Sequence, residues 1–180
     1  MRILLEKCEV RSWREEDAVT LPLHANNRKV WINLRDGFPH PYSVEDARKF
    51  IASALARVPE TFFAIAVEGE AVGGIGYLLH SDVERVSAEI GYWLGERFWG
   101  RGIATEAVRA VTAHAVRAHS LTRVHAVPYE WNPASFRVLE KAGYVLEGTM
   151  RRSAIKDGHV INQRLYAYVV PDGGAEGGKP

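Results

Sequence analysis

The spacing of apolar residues along this chain switches between a period near three and a half and a period of two, and each switch marks an element. Ile103, Ala107, Val108, Val111, Ala115 and Ala118 share one face of a helix predicted over 102–119. β-Branched and aromatic runs predict strands over 10–13, 62–67, 71–79, 87–94, 123–127, 144–155 and 160–169. Turns at Glu68-Gly69-Glu70 and Asp157-Gly158 fold two pairs of these strands into hairpins. One broken helix, or two, fills 17–35, interrupted by Pro22 and the Asn26-Asn27 pair. Ser43-Val44-Glu45-Asp46 reads as a capping box with Asp in the place of Glu, and opens a helix to about 58. Asn132 as N-cap, Pro133 at the first helical position and Gly143 just past the end frame a short helix over 133–142. Strands and helices are mixed rather than strictly alternating, with no repeat and no linker. The expectation is a single α+β domain over 8–170, with a mixed, mostly antiparallel sheet flanked by helices. The glycine-rich end, 171–180, reads as a flexible tail.

The strand over 87–94 ends in a loop holding Gly95, Gly100 and Gly102, and the long helix begins at once. A helix start leaves about four N–H groups without internal partners, and with the dipole's positive end these make an anion site. Gly100 and Gly102 let the backbone lie against a phosphate, and Arg97 and Arg101 add forked positive charge. The junction is a pyrophosphate cradle. A nucleoside-triphosphate loop fits badly, because Arg101-Gly102 stands where Lys-Ser/Thr is required. A dinucleotide loop fits badly too, because Thr105 stands where the third glycine belongs.

What remains, Arg97-x-x-Gly100-x-Gly102 with Ala104 after it, resembles the acetyl-coenzyme A signature of the GCN5-related N-acetyltransferases (GNAT). The stretch Asn132-Pro133-Ala134-Ser135, followed by Glu140-Lys141-Ala142-Gly143-Tyr144, looks like the late part of the same superfamily. The branch it resembles most is the ribosomal-protein N-terminal acetyltransferases of the RimJ/RimL type. Val10-Arg11-Ser12-Trp13, Asn33-Leu34-Arg35-Asp36 and Phe38-Pro39-His40-Pro41-Tyr42-Ser43 agree with that branch. The resemblance covers about 8–170.

The resemblance implies acetyl transfer from acetyl-coenzyme A directly to an amine, with no metal and no covalent enzyme intermediate. It implies that backbone from Phe98 through Trp99, Gly100, Arg101, Gly102, Ile103 and Ala104 to Thr105, aided by Arg97, faces the pyrophosphate. Strand backbone at Trp93 and Leu94 would pair with the pantetheine arm and polarise the thioester carbonyl. Asn132 would bind the arm and Ser135 would lie near the sulfur. Where many relatives carry a tyrosine acid this chain has Leu139, which leaves Ser135, another hydroxyl such as Tyr144, or water to protonate the thiolate.

Glu89 sits in an otherwise apolar strand, sharing a face with Gly91 and Trp93 opposite Ala88, Ile90 and Tyr92. By resemblance it takes the amine proton, and burial against Trp93 would make it a stronger base. The acceptor belongs between the 33–42 region and this strand. An α-amine of pKa near 8 costs about 1.4 kcal/mol to deprotonate at pH 7, and a lysine near 10.4 costs about 4.6 kcal/mol. That favours a protein N-terminal α-amine. Small amines of aminoglycoside or polyamine type stay open, as does a non-catalytic acyl-coenzyme A-binding regulator.

Composition narrows the classes. The 180 residues carry 23 Lys plus Arg against 22 Asp plus Glu, so no global charge draws the chain to nucleic acid or membrane. Trp31, Trp93, Trp99 and Trp131 lack an accompanying basic stripe and read as packing and groove lining. One cysteine, Cys8, and histidines without ligand spacing argue against a metal site. No signal segment or membrane span is evident. A cytoplasmic protein, monomer or homodimer, is expected.

Overall fold

The computed structural model describes residues 1–171. The expected tail lies outside the described residues, apart from Pro171. Eight strands form one sheet: β1 (Arg2–Leu4), β2 (Glu9–Ser12), β3 (Phe62–Val67), β4 (Glu70–Leu79), β5 (Ser87–Leu94), β6 (Arg123–Ala126), β7 (Val145–Lys156) and β8 (His159–Val169). Their order is β1-β2-β3-β4-β5-β6-β8-β7. Every neighbouring pair is antiparallel except β5 and β6.

Helices cover both faces. α5 (Ile103–His119) and α6 (Pro133–Lys141) pack on one, where Val10, Phe63, Ile65, Ala88, Ile90 and Val124 are buried. Five of the six residues predicted for the inner face of α5 are buried, and Ala118 is exposed; Thr112 completes the buried row instead. Ile103, Val108 and Val111 each contribute about 1.5–3 kcal/mol by burial. The other face carries α1 (Asp17–Thr20), α2 (Pro22–Ala25) and α4 (Val44–Leu55), packed through Trp13, Leu21, Ala47 and Ile51 against Ala64 and Ala71.

The sequence expectations need three corrections. β1 was not foreseen; it pairs with β2 at the sheet's outer edge. The 17–35 segment is three short helices, the third being α3 (Arg28–Trp31), which Asn27 caps by accepting from the Lys29 N–H. α4 stops at Leu55 rather than near 58, because Val58 precedes Pro59 and is pushed out of helical geometry. The Ser43–Asp46 capping box is present in both directions. Buried Arg11 grips Asp17 with two hydrogen bonds of 2.8 and 2.7 Å, fixing α1 against β2.

β5 and β6 are the parallel pair that places the site. They are joined through α5, as parallel strands require a crossover. They pair only from Ser87 with Arg123 to Glu89 with His125. From Ile90 to Leu94 no strand among the described residues lies on that side of β5, and α6 stands across the gap.

Candidate active site

The loop after β5 makes a short 3₁₀ turn at Glu96–Phe98, then runs into α5. Asn27 Nδ2 and Lys29 anchor the Glu96 carboxylate and hold it below the usual carboxylate range. The Trp99 indole donates to the Leu94 carbonyl at 2.6 Å and ties the loop back to the strand. Gly100 and Gly102 have φ of +76° and +82°, the left-handed region where side chains are strained. Among the described residues, no side chain caps α5. Among the described residues, the consecutive amides from Gly100 to Thr105 find no acceptor. Arg97 and Arg101 are exposed beside them, with Arg101 stacked 5.3 Å over Phe98. Ile103, Ala104 and Thr105 open the helix, Ile103 anchored in the core. The sequence reading missed Lys7. Its ammonium lies near Gly102 and 3.5 Å from Glu106, bringing a further cation to the same corner.

Backbone polarity of β5 follows from its register. His80 and Gly95 donate to Ser87 and Val72, so the odd-numbered residues from Ser87 to Gly95 turn their N–H and C=O toward β4. The backbone of Trp93 is therefore committed to Gly74, while the Ile90 C=O, Tyr92 and the Leu94 N–H face the gap. The Trp93 indole lies against Gly74, where a Cβ would come within 2.8 Å of its nitrogen.

Across the gap, Asn132 caps α6: its Oδ1 accepts from the Ser135 N–H at 3.2 Å, leaving its Nδ2 without a partner among the described residues. Ser135 Oγ is 2.7 Å from the Tyr92 hydroxyl. Burial pushes the Tyr92 phenol far above its ordinary value, so it stays protonated. Alternation correctly set Tyr92 opposite Glu89, but its contact with Ser135 depends on α6, which the strand pattern cannot show. Leu139 is buried in the core, and so is Tyr144, whose hydroxyl meets Thr112 at 2.6 Å. Tyr144 is therefore placed to brace α5, not to reach the gap.

Glu89 does not touch Ser135, because it projects from the other face of β5. Arg35 donates to it at 2.5 Å, and the side chain stays partly exposed. Beside it, a Cβ on Gly91 would meet nothing within 4 Å. The face of β5 thus carries an open slot between Glu89 and Trp93, with Phe38 edge-on to Trp93 at 5.3 Å. On β6, His125 stands in register with Glu89; burial lowers its pKa, partly offset by Glu89. Its Nδ1 is buried without a partner among the described residues.

The segment bearing Arg35 is clipped on from outside. Lys156 of β7, fully buried, reaches Asp36 at 2.9 Å and sits 3.7 Å over the Trp31 ring. Arg28 pairs with Asp157 at 2.5 Å, and Tyr129 donates to the Leu34 carbonyl at 3.4 Å. The sequence pattern signalled none of these partners except the presence of Arg35 and Asp36 in a shared motif. Among the described residues no three His, Cys, Asp or Glu side chains gather as metal ligands, and no helix is long and apolar enough to cross a membrane.

Comparison with known proteins gives the arrangement its context. Residues 7–145 match the family described as acetyltransferase (GNAT) domain. The ribosomal-protein-serine acetyltransferase of Escherichia coli (strain K12) is 29% identical over 79% of this chain and 81% of its own. The probable N-acetyltransferase YjcK of Bacillus subtilis (strain 168) is 34% identical over 73% of this chain and 75% of its own. Mycobacterium smegmatis RimJ, solved in complex with CoA-disulfide, superposes with a TM-score of 0.80 at 26% identity, covering 90% of this chain and 81% of that one. With the matched family spanning most of the sequence, and the same fold around the glycine loop, the chain belongs to the GNAT acetyltransferase family and is an acetyl-coenzyme A-dependent N-acetyltransferase.

Proposed function

We propose that the protein acetylates the N-terminal α-amine of a protein, with donor and acceptor entering from opposite faces of β5. The observation that carries this reading is the run of unpartnered amides from Gly100 to Thr105, opening beside the gap that β5 and β6 leave between them. The pyrophosphate sits on those amides, with Arg97, Arg101 and Lys7 supplying charge. The pantetheine arm lies along the gap-facing edge of β5. The Leu94 N–H, not the committed backbone of Trp93, meets the thioester oxygen as it gains charge. Asn132 Nδ2 donates to the arm while its Oδ1 keeps capping α6.

The acceptor amine occupies the slot over Gly91. Its nitrogen attacks the thioester carbon, and its proton passes to Glu89, directly or through a water. The C–S bond then breaks. The departing thiolate takes a proton from Ser135, whose hydroxyl is free to point at the sulfur when Tyr92 donates to Ser135 Oγ. Holding both reactants supplies much of the rate.

The named relatives support a protein acceptor, since one is a ribosomal-protein-serine acetyltransferase. The test is release of free thiol from acetyl-coenzyme A across peptides with free N-termini, lysine peptides with blocked N-termini, and small amines. Peptide α-amines should turn over fastest. Equal or faster turnover of polyamines or aminoglycosides would displace this acceptor class.

A further inference from the structure

Around α3 and the loop after it, the carboxylates are already neutralised by the chain's own cations. Arg35 holds Glu89, Lys156 holds Asp36, Arg28 holds Asp157, and Lys29 holds Glu96. A polycationic acceptor entering here must break an existing ion pair for each charge it seats. Arg35 is the opposite case. Its side chain is 68% exposed and spends one N–H on Glu89. Its other four have no partner among the described residues.

From this asymmetry we infer that Arg35 reads the charge next to the acceptor amine, selecting N-termini with an acidic side chain in the first few residues. The inference rests on the α-amine reading above and names the substrate class more closely. An exposed ion pair is weak, so an incoming carboxylate can exchange for Glu89 at little cost. The exchange does two things together. It docks the acceptor through a forked, charge-assisted contact. It also releases the Glu89 carboxylate for the amine proton. An acceptor with lysine in the same place brings a like charge to Arg35 and leaves Glu89 occupied.

The test uses two peptides with serine first, identical except for glutamate or lysine second, with kcat/KM measured at low and high salt. The parent should prefer the glutamate peptide by about two- to fivefold, the range of an exposed pair, and the preference should shrink as salt screens it. Arg35→Gln should level the two peptides, and Arg35→Glu should reverse the order. Both variants should keep the parent's coenzyme A-dependent rise in melting temperature, which a general disruption of the fold would not. Equal use of both peptides by the parent, or an unreversed preference in Arg35→Glu, overturns the role of Arg35 while leaving the α-amine reading intact. Absence of transfer to either peptide, with transfer to small amines, overturns that reading and this inference with it.

Discussion

The loop from Gly95 to Thr105 and the rim from Arg28 to Tyr42 are built in opposite ways. The first is continuous in sequence and works through backbone: unpaired amides, positive-φ glycines and a helix end. The second works through side chains brought from far away. Arg35 reaches Glu89 across 54 residues, Lys156 reaches Asp36 across 120, and Arg28 reaches Asp157 across 129. A backbone cradle recognises a phosphate whatever side chains drift around it. A rim of ion pairs changes character with each substitution. On the function proposed above, the half that serves the donor is thus local and stable in kind, while the half that meets the acceptor is free to be particular to this chain.

The sharpest way to break the comparison is Glu89→Gln, which leaves size unchanged. Turnover at neutral pH should fall by about 10²–10⁴-fold, the range for a lost general base. It should recover as pH rises past 8, where the α-amine deprotonates unaided. A loss that is the same at every pH would make Glu89 a binding residue instead. Gly102→Val strikes the other half. It places a branched side chain at φ +82° and over the cradle. The expected result is loss of the coenzyme A-dependent rise in melting temperature, with roughly 1–3 kcal/mol of strain in the unliganded protein. An undiminished ligand shift would show that the amides hold no phosphate.

Gly91→Val should do the converse. The site has room for the side chain and no positive φ, so the strand gains a good β former. The cofactor shift should persist while the acceptor KM rises about tenfold or more, because the slot is filled. If KM is unmoved, the acceptor enters elsewhere. Lys156→Met keeps the buried stem and removes the charge that clips the rim. A several-fold rise in acceptor KM with cofactor affinity unchanged is expected, and stability should change by no more than about 1 kcal/mol, because exposed Asp36 exchanges its partner for water. Titrating both substrates separately decides it. The smallest effect belongs to Asn132→Asp. Asp caps as well as Asn, so the melting temperature should hold. The variant lacks the amide donor and adds negative charge, so acetyl-coenzyme A should bind more weakly. Asn132→Ala should lose about 1 kcal/mol of stability as well. Parent-like binding by the Asp variant would leave Asn132 a cap alone.

What could be read in the sequence follows the same division. The 87–94 strand, the turn into α5 and the Asn132 cap are local patterns, in which periodicity, glycines and capping residues act within a few positions. Residues whose meaning depends on a distant partner could not be read. Tyr92 looks like one more core-facing strand residue until α6 brings Ser135 to its hydroxyl. Lys7 carries no signal in the sequence until β1 and β2 set it beside Gly102. Glu89 stands out in the sequence as a charge in an apolar strand, yet its neighbour, Arg35, arrives on a segment whose position is set by Lys156 and Trp31. α4 reads too long in the sequence because its capping box fixes a beginning, while its end is marked only by Pro59, which lies beyond the last helical turn.

The seam between β5 and β6, three residue pairs wide, also divides the molecule as a folding problem. β1 with β2, and β3 through β5, close by short connections, with α1 to α4 carrying the chain from β2 to β3, and β7 with β8 close as another hairpin. The two blocks meet through that seam, the helices laid over it, and the ion pairs that clip the 28–36 segment to β7 and its turn. Such blocks behave as separate cooperative units, opening and closing with their own free energies. The amides of β6 and β8 should therefore exchange with solvent deuterium on a different schedule from those of β3 and β4. A donor molecule lying in the gap touches both blocks, so its arrival would couple their openings into one. Protection should then rise farthest from the ligand as well as beside it, and the enzyme would be most nearly a single cooperative body when its acyl donor is in place.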